Sequence, residues 1–524
     1  MAYVRELGRV GRFTAAMLAA AAALGACLIV AVGTAQAAKT PIGAYTTRGA
    51  WSFVSAPSLH PPKLLVDARA ASKSLAPGDF LLANFPDVAA PGPMTGEGGP
   101  LIVGSRLQPV WFRPVGTGVV SADLQQEDYL GKPVLVWWQG IITATGATES
   151  GEVLVVDQHY RTIATLRARR PWVISLHDAT ISGGDIWVTV YRDVPGQNLA
   201  AYGGPAKGTV FDAGVQEYNL KTGALLYTWD ALNPGGAPNV PLSDSQQPAS
   251  ARTAPDGAWD AYHVDSVQVL TGNQILVSMR NTWAAYLNDV TTGKIVWTLG
   301  GKPSVDSFTV ASNARFAWQH DVRLLPGNEV TLYDDNCCKL LSSGALARPN
   351  GPSQGMVLRL DTATHAVSLV ASYPHRPTRD SAFLGSMQSL PNGNALVGWG
   401  SLPYLSEFAG SGKLLLDATF PGKDQSYRAL YTPSWQAIPY YLPSVAARSS
   451  HGRTTVYASW NGATGVSAWE VLAGAKAAHL KRVAIAPDRG FETAIALTSG
   501  GYKAFRVEAL DAKHHVIGSS RVVG

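Results

Sequence analysis

Alternation of apolar and polar residues with period two runs through the middle of the chain in two recurring forms. The first is a strand, a short turn and a returning strand: HDATISGGDIWVTVY from His177, HVDSVQVLTGNQILVSMRN from His263, HDVRLLPGNEVTLYDD from His320 and SMQSLPNGNALVGWGS from Ser386. The second follows it: QEYNLKTGALLYTW from Gln216, AYLNDVTTGKIVWTL from Ala285, VLRLDTATHAVSLV from Val357 and SEFAGSGKLLLDA from Ser406. Glycine or asparagine stands at all but one of these turns, where the backbone needs positive φ, so each form reads as a β-hairpin.

Two hairpins in succession make one four-stranded antiparallel sheet. The Thr-Gly turns fall at Thr222 and Thr292, and their counterpart at Thr362, with Ala363 in place of glycine, follows at the same spacing. Four-stranded units repeating without helices between them predict an all-β fold, a six-bladed β-propeller over residues 100–430, with blades of about 45 to 55 residues. An unclosed sandwich is the alternative. Residues 38–99, rich in Pro, Gly and Ala, read as an N-terminal extension with APGDFLLANF as their one clear strand. YTPSWQAIPYYLP at 431–443 ends the pattern as a linker. Residues 444–524 carry short alternating strands, with Trp460 expected on a central one and YKAFRVEALD as a late one. They suit a small C-terminal immunoglobulin- or fibronectin-III-like β-sandwich, expected to serve attachment or glycan contact.

Composition agrees with a turn-rich globular protein: 46% apolar and 15% charged residues, with 53 Gly and 33 Pro. The 524 residues exceed what one ordinary core organises, so a large repetitive domain or several domains are required. Residues 1–37 change the compartment. Arg5, Arg9 and Arg12 precede an uncharged apolar run ending in Ala35-Gln36-Ala37, the form of a secretory signal peptide cleaved after Ala37. The run is also long enough to cross a bilayer as an uncleaved anchor, and Cys27 in LGAC offers an imperfect lipobox. In each case the body is expected outside the cytoplasm, secreted or associated with the cell envelope. The net charge of +5 falls to about +3 without the leader, and no Lys/Arg run marks a nucleic-acid stripe. The adjacent Cys337 and Cys338 could form a vicinal disulfide, pair with outside thiols or stay reduced; on a strand they would face opposite ways, which argues against a metal site there.

Candidate chemistry lies where the first hairpin form opens: on His177, His263 and His320, then on Met387 or Gln388 in the fourth copy. Equivalent positions in successive blades share radius and height, so the three histidines are expected to converge near the central channel. Arg280, on the strand returning from His263, reaches the same end. Histidines with an arginine form an anion site, and crowded cations hold one imidazole neutral and nucleophilic near pH 7. The alternatives are histidines satisfied singly by backbone carbonyls, or a three-histidine zinc site, which Arg280 would repel. Neither metal nor cofactor is expected. Asp178, Asp265 and Asp321 are expected to orient rings or cap turns, with Asp334 and Asp335 able to do so from the far strand. His159, His365 and His375 lack the repeat position and read as structural. Trp137, Trp138, Phe316 and Trp318 read as core between blades or, alternatively, as a wall for an aromatic ligand.

In this order, SAPSLHPPKLLV, VLVWWQG, DAYHVDSVQVLTGNQILVSMRNTW, TTGKIVWTLGGK, FAWQHDVRLLPGN and SMQSLPNGNALVGWGS resemble the arylsulfate sulfotransferase family, in its secreted actinobacterial and fungal branch. The resemblance spans most of the chain beyond the leader. It implies a six-bladed propeller that moves a sulfuryl group from a phenolic sulfate ester to a phenol without a nucleotide donor. Its small-molecule partners would be an aryl sulfate and a phenol. By the same resemblance, His320 in AWQHD is the nucleophile and takes the sulfuryl group as a sulfohistidine. His263 in YHVDS and Arg280 in SMRNT hold the sulfuryl oxygens, and His177 in SLHD is a third such histidine. Asp265, Trp318 and Asn281 are the accompanying candidates for substrate binding. Two positions depart from the family pattern: Asp265 stands where Asn is common, and YDD at 333–335 stands for FDN. A carboxylate near sulfate repels it unless paired or protonated. The rival function is a non-catalytic secreted propeller that binds an anionic or glycan ligand at the cell envelope.

Overall fold

A strand that buries both faces has no polar side to alternate, which explains the nearly continuous apolar runs VLVWW and FLLANF. In Lys132–Ile142, Val134, Val136 and Trp138 enter one core while Leu135 and Trp137 enter another. In Asp79–Phe85, Phe80 and Leu82 part from Leu81 and Ala83 in the same way. A computed structural model describes residues 43–87, 92–142, 148–251, 257–337, 339–340, 346–347, 351–422, 424–498 and 500–524. The leader and Cys338 lie outside the described residues.

The hairpins pair into six sheets of four or five strands. The first orders Gln425–Thr432, Asp79–Phe85, Gly99–Gly104 and Pro109–Phe112; the second holds the four strands from Val120–Tyr129 to Thr162–Leu166. The third runs from Val173–Ser182 to Leu225–Asp230, and the fourth from Val264–Leu270 to Ile295–Gly300. The fifth is built on His320–Leu325, Glu329–Asp334, Gln354–Asp361 and Ala366–Pro374, and the sixth on Ser386–Ser389, Ala395–Gly398, Tyr404–Phe408 and Leu414–Thr419. All eight hairpins expected from the repeats are present in sheets three to six.

Each sheet shares one apolar core with the next. Leu81 and Ile102 meet Leu135 and Trp137; Val136 and Val153 meet Ile174 and Val188; Tyr191 and Val215 meet Val264 and Val277. Leu276 and Ala285 meet Val330 and Met356, Tyr333 and Val357 meet Met387 and Val397, and Leu396 and Leu416 meet Leu82 and Leu101. The sixth sheet thus packs on the first, and the series is a closed, propeller-like cycle.

Closure corrects two expected boundaries. Residues 38–99 are no separate extension: Asp79–Phe85 is a central strand of the first sheet, and Leu65–Arg69 pairs with Leu414–Thr419 at the edge of the sixth. A ring sealed by hydrogen bonds needs strands from both ends of the chain, which a search for repeats along the sequence does not register. The linker likewise starts later than 431, because Tyr431 and Thr432 belong to Gln425–Thr432, and Trp435 is buried in the core between the first two sheets.

The C-terminal strands form a three-stranded sheet, Ser444–Ser450, Arg453–Ser459 and Glu492–Ala496, facing a four-stranded one of Lys481–Pro487, Ala468–Gly474, Ala504–Leu510 and Val516–Ser519. Their shared core includes Val456, Trp469, Val471, Ile495 and Val507. Trp460 joins that core from just beyond Arg453–Ser459 rather than from within a strand, its indole N–H donating to Tyr441 O at 2.7 Å. Asn461 ties these sheets to the ring through both backbone groups of Phe112, at 2.9 and 2.8 Å. Cys337 is buried and disulfide-bonded.

Candidate functional site

At all three repeat-position histidines the leading strand breaks register with its partner: between Ile174 and Ala179, between Val264 and Ser266, and between His320 and Arg323. His263 itself has φ of 57°, and Trp318 and Asp321 around His320 have 60° and 53°. Such bulges re-aim side chains, and here they bring three imidazoles together. The rings of His177 and His263 lie 4.9 Å apart, nearly perpendicular, and Tyr427 touches both His177 and His320 with centroids at 5.4 and 6.4 Å.

Arg280 joins them. Its backbone N–H donates to His263 O at 2.9 Å, and its guanidinium lies over the Trp318 ring at 4.8 Å. It donates to Asn281 Oδ1 at 3.1 Å and to Ala382 O at 2.8 Å. Trp318 and Asn281 therefore position Arg280, and Asn281 is itself anchored through Asp260 O at 2.7 Å.

His320 is fully buried. Its Nε2 accepts the Leu384 N–H at 3.1 Å, which places the proton of a neutral ring on Nδ1. Burial pushes the His320 and His177 pKa values well down, aided in His320 first by Arg280 and in His177 first by His263. Burial thus favours the neutral form of both rings. His263 is the most open of the three, with 26% of its side chain exposed and Nδ1 paired with Asp260.

The aspartates following the histidines do not orient the rings, contrary to expectation. Asp260 holds His263, the Ser175 hydroxyl holds His177, and Asp335 stands nearest His320, with Oδ2 3.0 Å from Nδ1, while Asp265 Oδ1 lies 3.8 Å from Nε2. Asp178 and Asp321 instead meet Arg323 at 2.8 and 2.9 Å. Arg428 reaches Asp123 at 3.0 Å, Asp178 at 3.2 Å and Asp321 at 3.6 Å. Each bulge turns its carboxylate into the ring centre, where two arginines balance the charge. Asp265 belongs to this floor: its oxygens accept from Tyr427 OH at 2.6 Å and Asp321 N–H at 2.7 Å, and burial raises its pKa to about 6. It is not the unpaired charge expected to repel sulfate. Tyr427, Arg428, Arg323 and Asp123 were not singled out in the sequence; the signal was an arginine inside the apolar strand SYRALY.

A segment from Ser381 to Gly385 covers His320. Ser401 Oγ accepts the Ala382 N–H at 2.9 Å and meets Ser381 Oγ at 3.0 Å. Gly385, at φ 117°, lies so close to the Tyr333 ring that a Cβ would collide with it. In this arrangement Nε2 is occupied by the Leu384 amide. Ser401→Ala, which leaves the Ala382 N–H without its acceptor, should lower stability by about 1–3 kcal/mol. It should also speed modification of His320 by diethyl pyrocarbonate, read by peptide mass.

Asp334, beside the site, accepts from Ala317 N–H at 2.9 Å, and burial raises its pKa to about 7. Its folded value lies above its unfolded value, so its contribution to stability is fully present below about pH 4 and is lost as pH rises through about 7. Asp334→Asn should flatten the fall of the melting temperature between those pH values in a pair of pH-dependent thermal scans.

Fold and site together define an all-β, propeller-like protein with three histidines and an arginine at one centre. The family model described as Arylsulfotransferase (ASST) matches residues 127–421, more than half of the chain, and the chain belongs to this family. A search of curated proteins found no match. Solved structures similar in fold include a protein of unknown function from Bacteroides caccae, at 12% identity and TM-score 0.38, covering 68% of this chain and 99% of that one. The Myceliophteria thermophila Cps50 (Swd1) β-propeller domain is similar at 11% identity and TM-score 0.36, covering 76% and 99%.

Proposed function

We propose that the chain moves a sulfuryl group from an aryl sulfate ester to a phenol, without a nucleotide donor, through a covalent adduct on His320. The reading rests on one observation: a buried, neutral His320 whose Nε2 is the unprotonated nitrogen, in a centre that also gathers Arg280, His177 and His263. In this scheme Nε2 attacks sulfur and the phenolate leaves; an acceptor phenolate then removes the group, and the ring returns to its starting form. Arg280 and the other two histidines stabilise charge on the sulfuryl oxygens in the transition state. Trp318 and Asn281 hold Arg280 in place, and Asp265 braces the floor rather than touching the donor.

The scaffold in this reading is a six-bladed β-propeller followed by an immunoglobulin- or fibronectin-III-like sandwich. The leader would direct export by cleavage after Ala37 or by remaining as an anchor, and the sandwich would serve envelope or glycan contact. Intact mass of the purified protein, mixed briefly with 4-nitrophenyl sulfate and no acceptor, tests the reaction. A gain of one sulfuryl group supports it; no adduct and no nitrophenol from several aryl sulfates would leave the centre as an anion-binding site.

A further inference from the structure

The geometry points to a second binding site, separate from the histidine centre: a cleft where the first two sheets meet the linker, which holds a sugar ring carrying a carboxylate or sulfate. It stands apart from the sulfuryl-transfer reading and places the glycan contact, assigned above to the sandwich, in this cleft. The cavity has a volume of about 470 Å³ and shares no lining residue with the centre that holds His177, His263, Arg280 and His320.

One wall is a short aromatic stack. Trp111, on the outer strand of the first sheet, lies 4.8 Å from Tyr160 with the rings nearly parallel, and Tyr441 continues the stack at 6.3 Å. Tyr160 stands at φ 61° in the turn after Thr148–Val156; its OH accepts the Trp435 N–H at 2.8 Å and donates to Gly462 O at 2.9 Å. Packing accounts for these rings. It does not account for Tyr440, which is 59% exposed with its ring 5.3 Å from that of Tyr441. The linker backbone is pinned to the same turn by Ile438 N–H to Gln158 O and Tyr440 N–H to His159 O, both at 3.1 Å, so the open ring is fixed before any ligand arrives.

The charge in the cleft has one sign. Arg113 and Arg161 line it and no carboxylate does. Arg113 lies over the Trp137 ring at 5.2 Å and Arg161 over Tyr440 at 5.8 Å, and among the described residues neither is paired with a carboxylate. Asp157, in the same turn, accepts instead from the backbone N–H groups of His159 and Arg161 at 2.8 and 2.9 Å. A guanidinium stacked on a ring keeps its N–H edge for oxygen acceptors and matches the oxygens of a carboxylate or sulfate. Tyr440 is exposed and Tyr441 half-buried, whereas Trp111 and Tyr160 are already covered, so an occupant keeps one side in water. A pyranose, with hydroxyls on its rim, suits that arrangement better than an aryl ring, which gains chiefly from burial of both faces.

The test titrates native protein and the double variant Arg161→Ala with Tyr440→Ala, both exposed side chains, by calorimetry with digalacturonate, a chondroitin sulfate disaccharide and neutral cellobiose. Native protein is expected to bind at least one acidic disaccharide, more weakly as salt rises, and cellobiose at least about tenfold less well. The double variant should lose at least about tenfold in affinity for the acidic disaccharide, with its melting temperature and its turnover of 4-nitrophenyl sulfate unchanged. Equal binding of cellobiose, unchanged binding by the variant, or no binding of any of the three would overturn the inference. A fall in 4-nitrophenyl sulfate turnover in the variant would tie the cleft to the aryl donor and overturn the saccharide assignment. Native protein without any turnover would count against sulfuryl transfer alone, because the titrations need no reaction.

Discussion

His320→Ala is expected to abolish both sulfuryl capture and transfer, with a loss of at least about 10³-fold, the scale on which removal of a covalent nucleophile is felt. The comparison needs intact mass without acceptor and steady-state transfer with one. In the variant, neither should exceed the solution reaction. The substitution removes a buried ring whose Nε2 accepts the Leu384 N–H at 3.1 Å, so some stability is lost and the fold must be shown intact. His177→Ala and His263→Ala serve as graded controls. Groups that bind sulfuryl oxygens should slow adduct formation without preventing it, whereas the nucleophile admits no partial substitute. Retention of full transfer by His320→Ala would move the chemistry to another residue.

The largest effect on stability is expected at Arg428. It is fully buried, and its guanidinium faces Asp123, Asp178 and Asp321 at 3.0 to 3.6 Å, with Tyr427 OH at 3.2 Å. Removing one partner from a buried ionic group leaves uncompensated charge and typically costs about 3–5 kcal/mol. Arg428→Met should lower the urea midpoint accordingly. Adding Asp123→Asn should return part of that loss, because the second change removes one of the stranded carboxylates. An unfolding free energy for Arg428→Met within about 0.5 kcal/mol of native, the range of ordinary surface substitutions, would show that the central ion pairs do not hold the ring together.

Four sheets of the ring were legible in the sequence because each is two hairpins in succession with a turn that demands positive φ, as at Gly223 and Gly293. The first two sheets were not resolved as such. Their strands bury both faces, so VLVWW and FLLANF show no alternation, and the first sheet takes a strand from the far end of the chain. Convergence of His177, His263, His320 and Arg280 was legible because repeat geometry maps equal positions to one place. Of the groups beside those rings, Asp335 was anticipated from the far strand, and Ser175 and Asp260 were not. A bulge changes which way the next side chain points, so Asp178, Asp265 and Asp321 turn to the central arginines. The ring-orienting groups come instead from outside the repeat positions: Ser175, Asp260 and Asp335.

The strand Gln425–Thr432 closes the first sheet against Asp79–Phe85, and it alone supplies Tyr427 and Arg428 to the centre. Every proposed sulfuryl-binding residue lies upstream of it. A chain halted on the ribosome before residue 425 therefore holds His177, His263, Arg280 and His320, yet Asp123, Asp178 and Asp321 lack Arg428 and the ring stands open. Ring and centre are therefore completed together, by one strand from the last fifth of the chain.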